Sequence, residues 1–113
     1  MSVLEEINDL LISLRLPVET GVFSGVPPDE YCVLTPITDD FAFFADNLPM
    51  VDVIEVRISL FSKGNYLKRK NEIVRSLLSA DFTITSRRYI GHEDDTGYYH
   101  AVIDTAKAYP FSL

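Results

Sequence analysis

Cysteine is almost absent from the 113-residue sequence, which contains only Cys32, so no disulfide can form within the chain. The residue lies in an apolar run that follows Asp29 and Glu30. A lone thiol in such a run is most often a small buried side chain. A catalytic thiolate needs a base and electropositive surroundings, and the nearby acids give the opposite field. The pattern therefore favours a buried thiol over a nucleophile.

Long apolar runs are also missing. No stretch approaches the length that crosses a bilayer, and residues 1–6 are acidic where a secretory signal is basic. We therefore expect a soluble protein that is made in a cytoplasm. Its 47% hydrophobic and 24% charged residues are ordinary for a globular protein. The length fits one domain over residues 1–113.

Basic residues are scarce in the first half of the chain. Residues 1–56 carry eleven acids and one base, Arg15, whereas residues 57–113 carry nine bases and six acids. Seven of the ten bases lie between Lys63 and Arg88. The net charge of −7 argues against a general affinity for nucleic acid. Such a division can hold a domain together, or it can bring the acidic side of one copy against the basic side of another.

Hydrophobic periodicity predicts two amphipathic helices. The first begins with a capping box formed by Ser2 and Glu5 and is limited by Pro17. The second runs from Asn65 or Tyr66 to Ser79. The apolar positions are Val3, Ile7, Leu10, Leu11 and Leu14 in the first helix, and Ile73, Val74, Leu77 and Leu78 in the second, which Tyr66 or Leu67 extends.

The remaining chain reads mainly as strands. Strands are predicted at 31–35, 51–61, 82–90 and 98–106, with shorter extended pieces at 18–23 and 41–44. In the 51–61 strand the apolar residues Ile54, Val56, Ile58 and Leu60 alternate with the polar residues Glu55, Arg57 and Ser59, which predicts one buried face. Loops are expected at 24–29, at Asp39–Asp40 and around residues 46–49, with a hairpin loop at 91–97 and an irregular tail at 109–113. The short connections predict an α+β two-layer sandwich, in which two helices cover a mainly antiparallel sheet of four to five strands.

Five bases give the second helix a basic character: Lys63, Lys68, Arg69, Lys70 and Arg75. Such a helix can bind phosphate, but nucleic-acid binders usually add exposed aromatics or glycine-rich loops. A solvated face, or an exposed face that docks on an acidic partner, is the favoured interpretation. The five residues are therefore the candidate partner interface.

Sequence signatures of catalysis are missing as well. The chain has no glycine-rich phosphate loop, no nucleophile elbow and no zinc-binding cysteine pattern. Metal-binding side-chain types do cluster near the hairpin loop, but their spacing matches no metal motif: His92, Glu93, Asp94, Asp95 and His100. We therefore expect no catalytic site, no metal and no cofactor, in a chain that is not an enzyme.

Several segments resemble a family of small phage and prophage proteins, the tail-completion or head–tail joining proteins of long-tailed phages. The segments are Tyr-Cys-Val-Leu at 31–34, Phe-Ala-Asp-Asn at 44–47, Leu-Phe-Ser-Lys at 60–63 with the helix from Tyr66, Phe82, Tyr-Ile-Gly-His-Glu at 89–93 and Thr-Gly-Tyr-Tyr-His at 96–100. The resemblance covers about residues 17–105 and includes no catalytic signature.

The resemblance implies a tail-terminator-like domain that forms a ring at the head-proximal end of the tail. Its partners would be further copies of the chain and phage tail or head-connector proteins, with no small-molecule substrate and no membrane. Nucleic acid is expected only as DNA that passes through the ring. The protein would act in the cytoplasm of the bacterial host and then in the virion. The alternative is a small regulatory or nucleic-acid-associated module that uses the basic helix at 63–75.

Overall fold

Two helices and five strands make up the described part of the chain. A computed structural model describes residues 3–20, 28–44 and 48–110. The elements are α1 (Val3–Ser13), β1 (Val18–Thr20), β2 (Glu30–Phe44), β3 (Leu48–Ser62), α2 (Tyr66–Ser79), β4 (Thr83–His92) and β5 (Tyr99–Pro110). The strands form one sheet in the order β1-β2-β3-β5-β4. Only the β1–β2 pair is parallel, so the predicted α+β fold with a mainly antiparallel sheet is confirmed.

The alternation of β3 fixes the two faces of the sheet. Val56, Ile58 and Leu60 are fully buried, as predicted. The partners of Ile58 on the neighbouring strands are Leu34 and Ile103, which are also buried. Because residues opposite each other share a face, these side chains form one apolar surface. The helices α1 and α2 cover it.

The core lies between that surface and the helices. It contains Val3, Ile7, Leu11, Leu16, Cys32, Leu34, Val56, Ile58, Leu60, Ile73, Leu77, Phe82 and Ile103. The helix α1 packs beside β1 and against α2, whereas α2 packs over β3, β5 and β4. Each helix contributes residues at spacings of three and four, which is the pattern of an amphipathic helix with one buried stripe.

Both helices end with a left-handed residue followed by a buried apolar one. At the end of α1, Arg15 has φ of 61° and the Leu16 N–H donates to the Leu11 carbonyl at 3.1 Å. At the end of α2, Asp81 has φ of 66° and is followed by Phe82. A non-glycine residue in this conformation costs about 1–2 kcal/mol. Burial of the next side chain offsets that cost and turns the chain back towards the sheet.

The start of α2 agrees with the prediction from the sequence. The Asn65 side chain caps the helix, because its Oδ1 accepts a hydrogen bond from the Lys68 N–H at 3.1 Å. The helix then runs from Tyr66 to Ser79, the predicted limits. Tyr66 also stacks on Tyr89 and Tyr99, with ring centroids 5.2 and 5.3 Å apart. These contacts fix the first turn of α2 against the β4–β5 hairpin.

The strand β2 is longer than predicted. The sequence suggested separate pieces at 31–35 and 41–44 with a loop at Asp39–Asp40, but residues 30–44 form one strand. Asp39 and Asp40 pair with Ile54 and Val53 of β3. A register shift follows Pro36, just past the short pairing with β1, and strand prolines are tolerated at such irregularities. Pairing with β3 therefore overrides the local turn signals.

Three other strands also extend past their predicted limits. The strand β5 continues to Pro110, so residues 109 and 110 are not irregular, and β3 begins at Leu48 instead of residue 51. Gly91 and His92 belong to β4 and not to the hairpin loop. Beyond Thr38 and Glu55, only β2, β3 and β5 remain paired, and they form a three-stranded arm. The molecule is accordingly elongated, at 54 × 24 × 22 Å.

Some predictions lie outside the described residues. They are the capping residue Ser2, the extended piece after Thr20, most of the loop at 24–29, residues 46 and 47, and the last three residues of the tail.

The apolar stripe of α2 is narrower than predicted. Ile73 and Leu77 are fully buried and Val74 packs against the core, but Leu78 is 56% exposed and Leu67 is 50% exposed. Leu78 lines a groove between α2 and β4, and Leu67 lies on the same side of the helix, eleven residues before it. The sequence alone could not separate them from the core stripe because both fit helical spacing.

Leu77 and Leu78 allow a matched test of this packing. We expect Leu77→Ala to lower the free energy of unfolding by about 2–5 kcal/mol, because it leaves a cavity in the core. Leu78→Ala should cost less than about 1 kcal/mol, since more than half of the side chain already contacts water. Urea unfolding of both variants measures the difference. Equal losses for the two variants would contradict the assignment.

Candidate functional site

The five candidate cations of the basic helix do not form a single patch. Lys68 and Arg75 are both exposed and lie seven residues apart, so they share one side of α2 about 10 Å apart. Lys70 is half-buried and lies about 200° around the helix from Lys68. Lys63 precedes the helix, where its Nζ lies 4.9 Å from the centre of the Tyr98 ring. The outward side of α2 therefore presents Lys68 and Arg75.

Arg69 belongs to an internal ion-pair network. Its Nη2 donates to the Leu14 carbonyl at 2.8 Å and its Nη1 donates to Glu72 Oε2 at 3.0 Å. Its Nε lies 3.3 Å from Glu30 Oε1, an ion pair that lacks hydrogen-bond geometry. The side chain is only 17% exposed. Arg69 thus joins the end of α1, α2 and the start of β2, and it is not an exposed cation as the sequence suggested.

The network continues from Glu30 into the sheet. The other carboxylate oxygen of Glu30, Oε2, accepts from Ser62 Oγ at 2.9 Å, and the same Oγ accepts from the Gly64 N–H at 3.1 Å. Ser62 is fully buried, so its hydroxyl needs these partners. The network holds the turn between β3 and α2 against β2. Its role is structural.

Arg69 and Lys68 are adjacent residues with opposite expected roles. Arg69→Ala should lower the free energy of unfolding by about 1–3 kcal/mol, because Glu30 and the Leu14 carbonyl lose their partner. Lys68→Ala should change it by less than about 0.5 kcal/mol, as is usual for an exposed residue. Urea unfolding of both variants tests the assignment, and an Arg69→Ala protein as stable as the wild type would refute it.

Acids from the first half of the sequence and bases from the second half lie at opposite edges of the sheet. We call α1 and β1 the acidic edge, with exposed Glu5 and Asp9 and half-buried Glu19. We call α2 and β4 the basic edge, whose exposed bases are Lys68, Arg75, Arg87 and Arg88. Because β1 and β4 are the outermost strands, the two edges face away from each other. Each edge also has exceptions, which are Arg15 on the acidic edge and, on the basic edge, half-buried Glu72, exposed Asp81 between α2 and β4, and the acidic hairpin tip (residues 93–95) at the end of β4.

A groove with four apolar lining residues lies on the basic edge, between the end of α2 and the start of β4. It has a volume of about 480 Å³ and is lined by Val74, Leu78, Phe82, Thr83, Ile84 and Arg87. Leu67 is exposed on the same side of α2 as Leu78, eleven residues before it. In the described part of the chain β4 pairs only with β5, so the groove lies beside a free strand edge. Single-sequence reasoning missed this surface, because strand order is not visible in the sequence.

The face of the sheet away from the helices carries a ladder of stacked rings. The ring of Phe61 lies between Tyr31 and His100, with centroid distances of 4.8 and 4.2 Å and nearly parallel planes. Tyr98 meets Tyr31 and Phe61 edge-on, and its hydroxyl donates to the Pro28 carbonyl. The rings therefore stack on each other instead of offering a flat platform on which bases could stack.

Beside this ladder, Arg57 and Asp104 form a cross-strand ion pair. Arg57 Nε and Nη2 donate to the two carboxylate oxygens of Asp104 at 2.9 and 3.1 Å. Asp104 is buried although neither α1 nor α2 covers this face. The bidentate pair satisfies both carboxylate oxygens.

The two histidines do not converge on one site. His92 Nδ1 lies 3.0 Å from Asp94 Oδ1, and its ring contacts Tyr99 on the helix-covered face. His100 lies in the ring ladder on the opposite face, where burial lowers its pKa against a smaller opposing effect of Glu93. Among the described residues, no group of three metal-binding side chains comes together.

Cys32 is fully buried beneath the helices, in agreement with the sequence-based interpretation. Burial raises the pKa of its thiol to about 12, with a smaller opposing effect of Arg69. A thiol with so high a pKa is protonated at neutral pH, and the protonated form is a poor nucleophile.

The Cys32 thiol should resist alkylation in the folded protein. At pH 8 we expect iodoacetamide to modify it only through opening of the fold, because the side chain is buried and protonated. Addition of denaturing urea should make modification rapid. Mass spectrometry over time measures both rates, and fast labelling of the folded chain would contradict the burial.

No protein-family model matches the chain, and no curated protein matches it significantly. No helix in the described ranges is long and apolar enough to cross a membrane.

Proposed function

We propose that this chain is a structural subunit of a phage or prophage tail. In this role it completes the tail or joins it to the head, by assembling into a ring at the head-proximal end of the tail. The proposal rests on the sequence resemblance and on one observation from the structure, which is the placement of opposite charge at opposite edges of the sheet.

Opposite edges of unlike charge suit a ring. A cyclic assembly is built from head-to-tail contacts, in which each subunit uses two different surfaces. Asp9 on one edge and Arg75 on the other provide surfaces of opposite sign. Charge complementarity of this kind favours the correct orientation and speeds encounter. A subunit with one self-complementary patch would form a closed dimer instead.

The proposal assigns no reaction, substrate or cofactor to the chain. The single thiol is buried and protonated, and the two histidines lie on opposite faces of the sheet. In the part of the chain that the structure describes, neither the thiol nor the two histidines form a pair of nucleophile and adjacent base. The partners are further copies of the chain together with tail or head-connector proteins. The site of action is the host cytoplasm during assembly and then the virion.

The alternative is a regulatory or nucleic-acid-associated module that binds through the basic helix at 63–75. The geometry supports it less well, because Arg69 is engaged internally and Lys70 lies on another side of α2 than Lys68. The stacked rings of the open face also lack a free platform for bases.

Deletion of the gene in an inducible lysogen tests the proposed function. We expect heads and tails to accumulate unjoined after induction, because the ring that connects them is missing. Electron microscopy of the lysate shows this directly, and a plasmid copy of the gene should restore joined particles. The gene should also lie among genes for portal, capsid and tail-tube proteins. Normal virions after deletion, or a changed pattern of transcription with intact virions, would favour the alternative.

A further inference from the structure

We propose that α1 of one copy docks into the groove between α2 and β4 of the next copy. This inference rests on the proposed function, since it names the surfaces through which the ring closes. The occupant of the groove is therefore a second copy of the chain.

The outward side of α1 carries a stripe that matches this groove. Glu5, Asp9 and Ile12 follow each other at spacings of four and three, so they lie along one side of the helix. Ile12 is 56% exposed, which is unusual for a large apolar residue opposite the buried stripe of an amphipathic helix. The stripe is therefore acidic towards its start and apolar towards its end.

The groove offers the complementary features near the end of α2. Four of its lining residues are apolar, Val74, Leu78, Phe82 and Ile84, so a docked helix that places Ile12 beside Leu78 would bury that side chain. Arg75 and Arg87 lie close to Leu78.

Charge adds to the apolar match. Asp9 lies three residues before Ile12 on the same side of α1, so a helix that places Ile12 beside Leu78 also brings the Asp9 carboxylate close to Arg75 and Arg87. Opposite charges at this contact favour the docked pair.

A contact of this size is expected to be weak for an isolated pair. One helix in a groove buries less than the roughly 1,200 Å² of a standard stable interface. Closure of a ring adds the last contact without a further loss of translational freedom, so the assembled form is stabilised beyond any single contact. Association should also weaken at high salt, because the Debye length falls from about 8 Å at 0.15 M to about 3 Å at 1 M.

Two variants that each block one surface test the docking. Ile12→Asp places a charge on the docking side of α1 and leaves the groove unchanged. Leu78→Asp places a charge in the groove and leaves α1 unchanged. Both side chains are 56% exposed, so both variants should fold. By sedimentation velocity at low salt, each variant alone should be monomeric, whereas the wild type should associate. An equal mixture should stop at a dimer, because one intact helix and one intact groove remain. Ile37→Asp, which changes an exposed residue of β2, is the matched control and should associate like the wild type.

A disulfide trap extends the test to a weak contact. A mixture of Ile12→Cys and Leu78→Cys proteins should form a mixed disulfide dimer under mild oxidation, while a mixture of Ile37→Cys and Leu78→Cys proteins should not. The native Cys32 is buried and should not take part. Failure of the first mixture to cross-link, or association of either Asp variant alone like the wild type, would overturn the docking.

The two tests separate this contact from the proposed function. If deletion leaves heads and tails unjoined but the variants associate normally, the docking is wrong and the function stands. If the mixed dimer forms but deletion leaves virions intact, the contact stands and the role in the phage tail is wrong.

Discussion

The double pairing of β3 is the interaction on which the rest of the structure depends. On one side β3 pairs with β2 and on the other with β5. Ile58 and Leu60 enter the core from one face while Arg57 and Phe61 occupy the other. A shift of one residue would exchange these faces and expose the whole apolar set. Both helices pack on the surface that this register creates, so their positions follow from it.

A second constraint acts at the end of the molecule where α1, α2 and the start of β2 meet. Arg69 donates a hydrogen bond to Leu14 at the end of α1 and forms an ion pair with Glu30 at the start of β2. Glu30 in turn accepts a hydrogen bond from Ser62 of β3. Hydrophobic packing brings the layers together without specifying their angle, since it is not directional. Hydrogen bonds and ion pairs depend on geometry, so this network fixes how α2 leaves β3.

Elements with strong local signals were predictable from the sequence, and those set by distant pairing were not. The helix α2 has a capping Asn65 and a regular apolar stripe, and β3 alternates between apolar and polar residues from Ile54 to Leu60, so both were found. The long β2 was missed because Pro36 and the Asp39–Asp40 pair are typical of turns, and only pairing with β3 makes them part of a strand. For the candidate surface, the sequence showed the division of charge but not its placement. That placement follows from the position of β5 between β3 and β4, which leaves β4 at the edge.

The direction of the strands decides the symmetry of any ring made from these edges. A strand of 15 residues spans about 50 Å, close to the 54 Å length of the molecule, so β2 and β3 run along its long axis. In a cyclic ring each subunit is related to the next by rotation about one axis, so all the three-stranded arms make the same angle with that axis. Such a ring has two unlike rims, which offer different contacts to the structures above and below it.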